Sequence, residues 1–175
     1  LEVLRGGAGA RYGSGGLGGA VNVVTRKGEA GTRLFAELTQ GSASTTLGEI
    51  GAAGEVAGGR GLVLVHGTRS LGDFSYRCDP QPTLEGNPLE VRTRENNQAA
   101  MGGVLLKLRR PLPGSVVADA AAEFSADSRG LAGTAENPTA DAHQASNLGS
   151  LGVRLTRALT AGEAEAHLWL RRDEI

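Results

Sequence analysis

Beyond residue 28 the side chains of this chain alternate in polarity in runs of about ten residues, and a period of two marks strands whose two faces meet unlike surroundings. The last run is the clearest. Between Glu163 and Arg172, Ala164, Ala166, Leu168 and Leu170 fall on one face, while Glu163, Glu165, His167, Trp169 and Arg171 fall on the other. In residues 146–157, Leu151, Val153 and Leu155 oppose Ser150, Gly152, Arg154 and Thr156. In residues 115–127, Val116, Ala118, Ala120, Ala122 and Phe124 oppose Asp119, Glu123 and Ser125. Similar runs at 32–41, 45–56, 61–70 and 97–110 bring the expectation to about seven strands.

The connections between these runs alternate in length. Short turns are expected at 57–60, 111–114 and 158–162, and long connections at 71–96 and 128–145; the short 42–44 link is the exception. Such alternation implies that consecutive strands run antiparallel and that one end of the sheet collects the tight turns. Outer-membrane barrels have this build, with short periplasmic turns and longer outward loops.

Residues 1–28 differ from the rest. A glycine-dense stretch lies there between two strand-like segments, LEVLR and AVNVVTRK. Glycine costs about 1 kcal/mol relative to alanine inside a helix, but it allows positive φ and close backbone approach, so the segment reads as tightly turned. Gly13, Gly15 and Gly18 satisfy G-x-G-x-x-G. That fingerprint binds a dinucleotide only where a helix opens on the glycines, and the β-branched content of AVNVVTRK favours a strand instead.

Val3-Leu4-Arg5-Gly6, Tyr12-Gly13, Gly18-Gly19, Val21-Asn22 and Val24-Thr25-Arg26-Lys27 together resemble the closing segment of the plug domain in TonB-dependent outer-membrane receptors. The chain departs from that pattern at Gly7, where the family often has proline, and at Gly9, where serine or alanine is commoner. Two later stretches look like the first large outward loops of the same family. One is Gly72-Asp73-Phe74-Ser75-Tyr76 with Asn96-Asn97; the other is Arg129-Gly130-Leu131-Ala132-Gly133-Thr134 with Pro138-Thr139.

The resemblance implies an all-β fold: the C-terminal end of a plug domain at 1–28, then, at 29–175, the first strands of a transmembrane antiparallel β-barrel, incomplete because plugged barrels have about 22 strands. It further implies active uptake of a scarce ligand of the ferric siderophore, haem or cobalamin class. Energy would arrive through TonB, which binds a box outside this segment, and outer-membrane lipid would surround the strands. The plug motif and gating residues carried by the resemblance are Arg5, Gly6, Tyr12, Gly13, Gly15, Gly18, Gly19 and Asn22, with the glycines as hinges. A chain that begins at Leu1 and ends within a strand-like run reads as a fragment.

Composition narrows the remaining choices. Glycine supplies 28 of 175 residues and aromatics only 3%, which suits turns and closely paired strands better than a large globular core. A net charge of −1 gives no reason to expect nucleic acid as partner. Cys78 has no second cysteine in the chain to pair with. No apolar run approaches the roughly 18 residues of a spanning helix, a test to which spanning strands are invisible.

No catalytic constellation emerges, and neither enzyme activity nor a cofactor is expected. His66, His143 and His167 are scattered; His167 shares a strand face with Glu163 and Glu165, which a solvated polar face explains as simply as a metal site. Ser14 fails as a nucleophile elbow because Tyr12 stands where glycine is required. Glu37, Asp119, Glu123, Arg154, Glu163, Glu165 and Arg171 all fall on polar strand faces, which in a plugged barrel would point inward toward Arg5, Arg11 or Arg26. Phe35, Phe124 and Trp169 are expected toward strand ends as interfacial aromatics, although Trp169 falls on the inward face. The alternative from another class is a secreted or surface structural β-protein with a glycine-rich N-terminal linker. It requires an apolar face thick enough for a soluble core, and the thin face of Ala118, Ala120 and Ala122 argues against that.

Overall fold

A computed structural model describes residues 2–5, 19–22, 31–80, 86, 88–134 and 137–175. Among them every regular element is a strand. β1 (Glu2–Arg5) pairs antiparallel with β2 (Gly19–Asn22), so strands do flank the glycine-dense segment as expected. The principal sheet comprises β3 (Arg33–Gly41), β4 (Thr45–Val56), β5 (Gly59–Ser70), β8 (Ala99–Leu112), β9 (Val116–Gly130), β10 (His143–Leu159) and β11 (Gly162–Glu174). Its seven strands lie in the order β11-β10-β9-β8-β5-β4-β3, an antiparallel meander. Between β5 and β8 the chain forms a separate small hairpin from β6 (Ser75–Cys78) and β7 (Glu90–Thr93). This corrects the reading of 71–96 as a plain long loop.

Two of the three tight turns at one end are built from residues with left-handed backbone. Ala57 and Gly58 have φ of 51° and 71°, the pair of positive values that a two-residue hairpin turn needs to match strand twist. Gly114 and Ser115 have φ of 78° and 60° in the β8–β9 turn. Thr160 and Ala161 join β10 to β11. The other end carries the 42–44 turn and the connections 71–98 and 131–142. β9 and β10 run further toward that end than the alternating pattern does, pairing Ser128 with Ala145 and Gly130 with His143. Small and polar residues there satisfy the ladder without alternating in hydropathy.

The register sorts the side chains into two faces, since directly paired residues point to the same side. One face is apolar across its middle rows: Leu34, Ala52, Val63, Leu106, Ala122, Leu151 and Leu170 form a continuous cross-strand row, with Arg69, Arg110, Arg157 and Arg172 in the rows around it. The adjoining row runs Gly54, Gly61, Leu108, Ala120, Val153, Leu168. The opposite face carries Glu37, Asp119, Glu123, Arg154, Glu163, Glu165 and Arg171, the segregation expected from sequence.

Neither face of the sheet is covered by a second layer among the described residues. The large apolar side chains are exposed, with Leu34 at 78%, Leu106 at 48%, Phe124 at 55% and Leu170 at 60% of full accessibility. Among the described residues only Ala53, Leu62 and Ala132 are buried hydrophobics, and Ala53 and Leu62 lie on the charged face. The sheet is open, with β3 and β11 as its edges.

The aromatic placement corrects an expectation. Phe124 sits mid-strand in β9, opposite Val104 and Gly149, and Trp169 sits mid-strand in β11, opposite Gly152 on the charged face. Because both strands extend past the alternating runs, neither residue lies at a strand end. Phe35, near the start of β3, lies over Gly51 on the charged face: a Cβ added to Gly51 would fall 2.3 Å from Phe35 Cζ. None of the three forms an interfacial girdle.

Candidate functional site

Two regions concentrate polar chemistry: the loop rim at the open end of the strands and the charged face below it. The rim is knitted from all three connections at that end. Ser70 shares a 2.8 Å hydrogen bond with Thr45 across two strands, donates to the Ala43 carbonyl at 3.2 Å, and accepts from the Gly72 amide at 3.2 Å. The Gly72 amide also reaches the Ala43 carbonyl at 3.3 Å. Asn97 Nδ2 donates to the Gly72 carbonyl at 2.9 Å. Gly72 is irreplaceable there on two counts, a φ of +62° and an added Cβ 2.1 Å from the Asn97 carbonyl oxygen.

Asn96 ties the second long connection to the first. Its Nδ2 donates to the carbonyls of Ala142, Thr139 and Leu131 at 2.8, 3.0 and 3.2 Å. An amide has two N–H groups, so one of them is shared between acceptors. Arg94 donates to the Gly133 carbonyl, and Thr139 Oγ1 to the Leu131 carbonyl. Gly130 passes so close that an added Cβ would meet Asn96 Oδ1 at 2.3 Å. Ala132 is buried beneath this web. The residues singled out in sequence as outward-loop signals, namely Gly72, Asn96, Asn97, Gly130, Leu131, Gly133, Pro138 and Thr139, are thus brought together. Pro138 contributes through an isolated bridge to Gly133.

The small hairpin projects from the first of these connections. Arg92 bonds Glu90 at 3.0 Å, and that hydrogen bond holds its guanidinium above the ordinary pKa. Phe74 and Tyr76 stack at a tilt with ring centroids 6.2 Å apart. Cys78 is a free, half-buried thiol opposite Glu90.

Below the rim, the charged face carries an ion-pair chain across four strands. Asp119 on β9 lies 3.7 Å from Arg109 on β8 and 3.4 Å from Arg154 on β10; Arg154 reaches Glu165 on β11 at 3.2 Å, and Glu165 bonds His167 at 2.8 Å. The ladder register produces this alternation, since Arg109, Asp119, Arg154 and His167 are direct cross-strand partners. These groups are substantially exposed, so each pair contributes about 0–1 kcal/mol. The His167–Glu165 contact is a side-chain hydrogen bond, and no group of metal-ligating side chains occurs among the described residues.

Of the motif residues named from sequence, Arg5, Gly19 and Asn22 lie in the small sheet, Arg5 paired with Gly19 and Asn22 with Glu2. Gly6, Tyr12, Gly13, Gly15 and Gly18 lie outside the described residues, as do Arg11 and Arg26. The strand that begins at Gly19 stands where a dinucleotide fingerprint would require a helix, which removes that reading. Sequence reasoning missed the Asn96 clamp as a structural link. Asn96-Asn97 flagged the loop, but its partners are carbonyls, which carry no sequence signal.

Comparison with protein families, with curated proteins and with solved structures yields no match to this chain.

Proposed function

We propose that the chain is part of a TonB-dependent outer-membrane receptor, comprising the end of a plug and the first strands of a barrel that takes up a scarce ligand of the siderophore, haem or cobalamin class. The observation that carries this reading is a broad, exposed, predominantly apolar face backed by a charged one, across seven antiparallel strands. A soluble structural or adhesive β-protein would bury its leucines under a second layer. Here Leu34, Leu106, Leu151, Leu168 and Leu170 are exposed, while Ala53 and Leu62 on the charged side are covered.

Three further features support it. The strands alternate tight turns at one end with long connections at the other, the build of outer-membrane barrels. On β9, Val116, Ala118, Ala120, Ala122, Phe124 and Ala126 give an unbroken apolar run. Ten residue steps at about 3.4 Å, tilted about 40°, span about 26 Å, close to the roughly 25 Å apolar band of such barrels. The strand–glycine–strand segment at 1–28 resembles the plug, and the wall would face it with its charges. Outer-membrane lipid meets the apolar face; ligand meets the loop rim and the plug.

The test is cellular. The whole protein is expressed in a Gram-negative host with and without TonB, and its location and ligand uptake are measured. Recovery in outer-membrane fractions, with TonB-dependent uptake of a ferric siderophore, haem or cobalamin, supports the reading. A soluble periplasmic or secreted product overturns it.

A further inference from the structure

The charged face is not uniform along its strands. In two neighbouring cross-strand rows of the charged face, Arg33, Arg60, Lys107, Arg109 and Arg154 are set against Glu55 and Asp119, with Glu165 and Glu163 in the rows beyond, toward the short turns. Nearer the loop rim, the row holding Glu37, Glu49 and Asp173 contains no lysine or arginine. Those two rows therefore form a locally basic band, in a chain whose overall charge is −1.

In this band lies a groove of about 560 Å³, within the size class of small-molecule sites. Its floor is Ala121 and Gly152; a Cβ built on Gly152 meets nothing within 4 Å, so the space above it is open. Arg60, Arg109, Lys107 and Trp169 stand around that floor. Arg60 and Arg109 face each other on adjacent strands, a like-charge pairing that destabilises a sheet unless an anion offsets it. Asp119 cannot serve both, because it is shared between Arg109 and Arg154. Arg60 makes no ion pair with any described residue, and Glu55 on its other side forms none with it.

We propose that this groove binds a small, multiply charged oxyanion, a polycarboxylate or polyphosphate, held by Arg60 and Arg109 beside the Trp169 ring. Two guanidinium forks converging on one opening suit bidentate oxyanions, and the indole provides a flat apolar wall for the ligand's body. The site depends only on the charged face, so it stands apart from the transport reading.

Trp169 is the only tryptophan in the chain, which makes its emission a direct probe. The folded whole protein is titrated at low salt with benzene-1,3,5-tricarboxylate and with pyrophosphate, using the neutral tricarboxamide as control, and binding is checked by calorimetry. Saturable binding of either anion, and none of the neutral compound, is expected. Arg60→Gln is expected to weaken it about tenfold, the loss of one charge-assisted contact, and Gly152→Leu to abolish it by filling the floor. Arg172→Gln, on the apolar face, leaves it unchanged. Equal binding of the neutral compound, absence of saturation, or wild-type affinity in Arg60→Gln overturns the proposal. If Arg60→Gln does not fold, retained affinity in folded Gly152→Leu overturns it instead.

Discussion

A charge placed at Leu106 separates a lipid-facing sheet from a water-facing one. Leu106 lies in the fully apolar cross-strand row, between Val63 and Ala122, and near the middle of the apolar run on β9. It is about half exposed, so arginine fits there without steric conflict. In water such a surface substitution changes stability by at most about 0.5 kcal/mol. At the midplane of a bilayer it costs about 2–4 kcal/mol, a shift of about 30-fold or more in the folding equilibrium. The matched control is Met101→Arg, on the charged face directly opposite Asp127, where a new cation gains an acidic neighbour. The whole protein is refolded into phosphatidylcholine vesicles and unfolded reversibly with guanidinium, and the two variants are compared with the parent. Leu106→Arg is expected to lose at least about 2 kcal/mol, and Met101→Arg less than about 0.5 kcal/mol. Equal small losses would refute the claim that the apolar face meets lipid.

Other outcomes follow from packing and hydrogen bonding. Asn96→Ala removes the donor that joins the two long connections and leaves the carbonyls of Leu131, Thr139 and Ala142 to water. Hydrogen exchange at 131–142 is expected to accelerate about tenfold or more, equivalent to at least about 1.4 kcal/mol, while exchange in β4 and β5 stays unchanged. Gly51→Leu drives a side chain into the Phe35 ring and is expected to cost about 1–3 kcal/mol by overpacking; coupled replacement of Phe35 by Ala should restore part of the loss in a double-mutant cycle. Asp119→Asn breaks the exposed Arg109–Asp119–Arg154 link, and its effect on the guanidinium midpoint is expected to stay below about 1 kcal/mol. A larger loss would mean that the charged face is far less solvated than its exposure indicates.

The strands were legible because their period-two pattern is enforced on both faces. Residues 163–172 announced β11 almost to the residue, since each Ala or Leu alternates with a charged or amphipathic neighbour. The ends of β9 and β10 were illegible for the opposite reason. Ser128, Ala145 and Gln144 pair through backbone groups alone, and a ladder hydrogen bond makes no demand on side-chain hydropathy. The β6–β7 hairpin escaped notice because Ser75–Cys78 and Glu90–Thr93 are four residues each, too short for alternation to register. The Gly, Asn and Pro of the two long connections are visible in the sequence as loop residues, but nothing there indicates that one asparagine amide ties the two connections together.

Two properties of the sheet have one origin in the register. A shift of any strand by one residue would exchange its faces, carrying Asp119 or Arg154 into the apolar row and Ala120 or Val153 into the ion-pair chain. The apolar row penalises that slip in a lipid environment by about 2 kcal/mol or more for each charge so moved. The ion pairs Arg109–Asp119–Arg154–Glu165 each contribute little to stability in water. They nevertheless mark the same register from the other side, because Asp119 meets both arginines only when β8, β9 and β10 are in their observed alignment. Arg60 and Arg109 are the exception to this matching, two like charges held opposite one another by the same alignment. Glutamate at either position would only move the clash, to Glu55 or to Asp119, so the neutral change Arg60→Gln, which removes one of the two like charges, is expected to keep or slightly raise the guanidinium midpoint while weakening oxyanion binding. A variant that loses both stability and binding would mean that Arg60 serves the fold rather than a ligand.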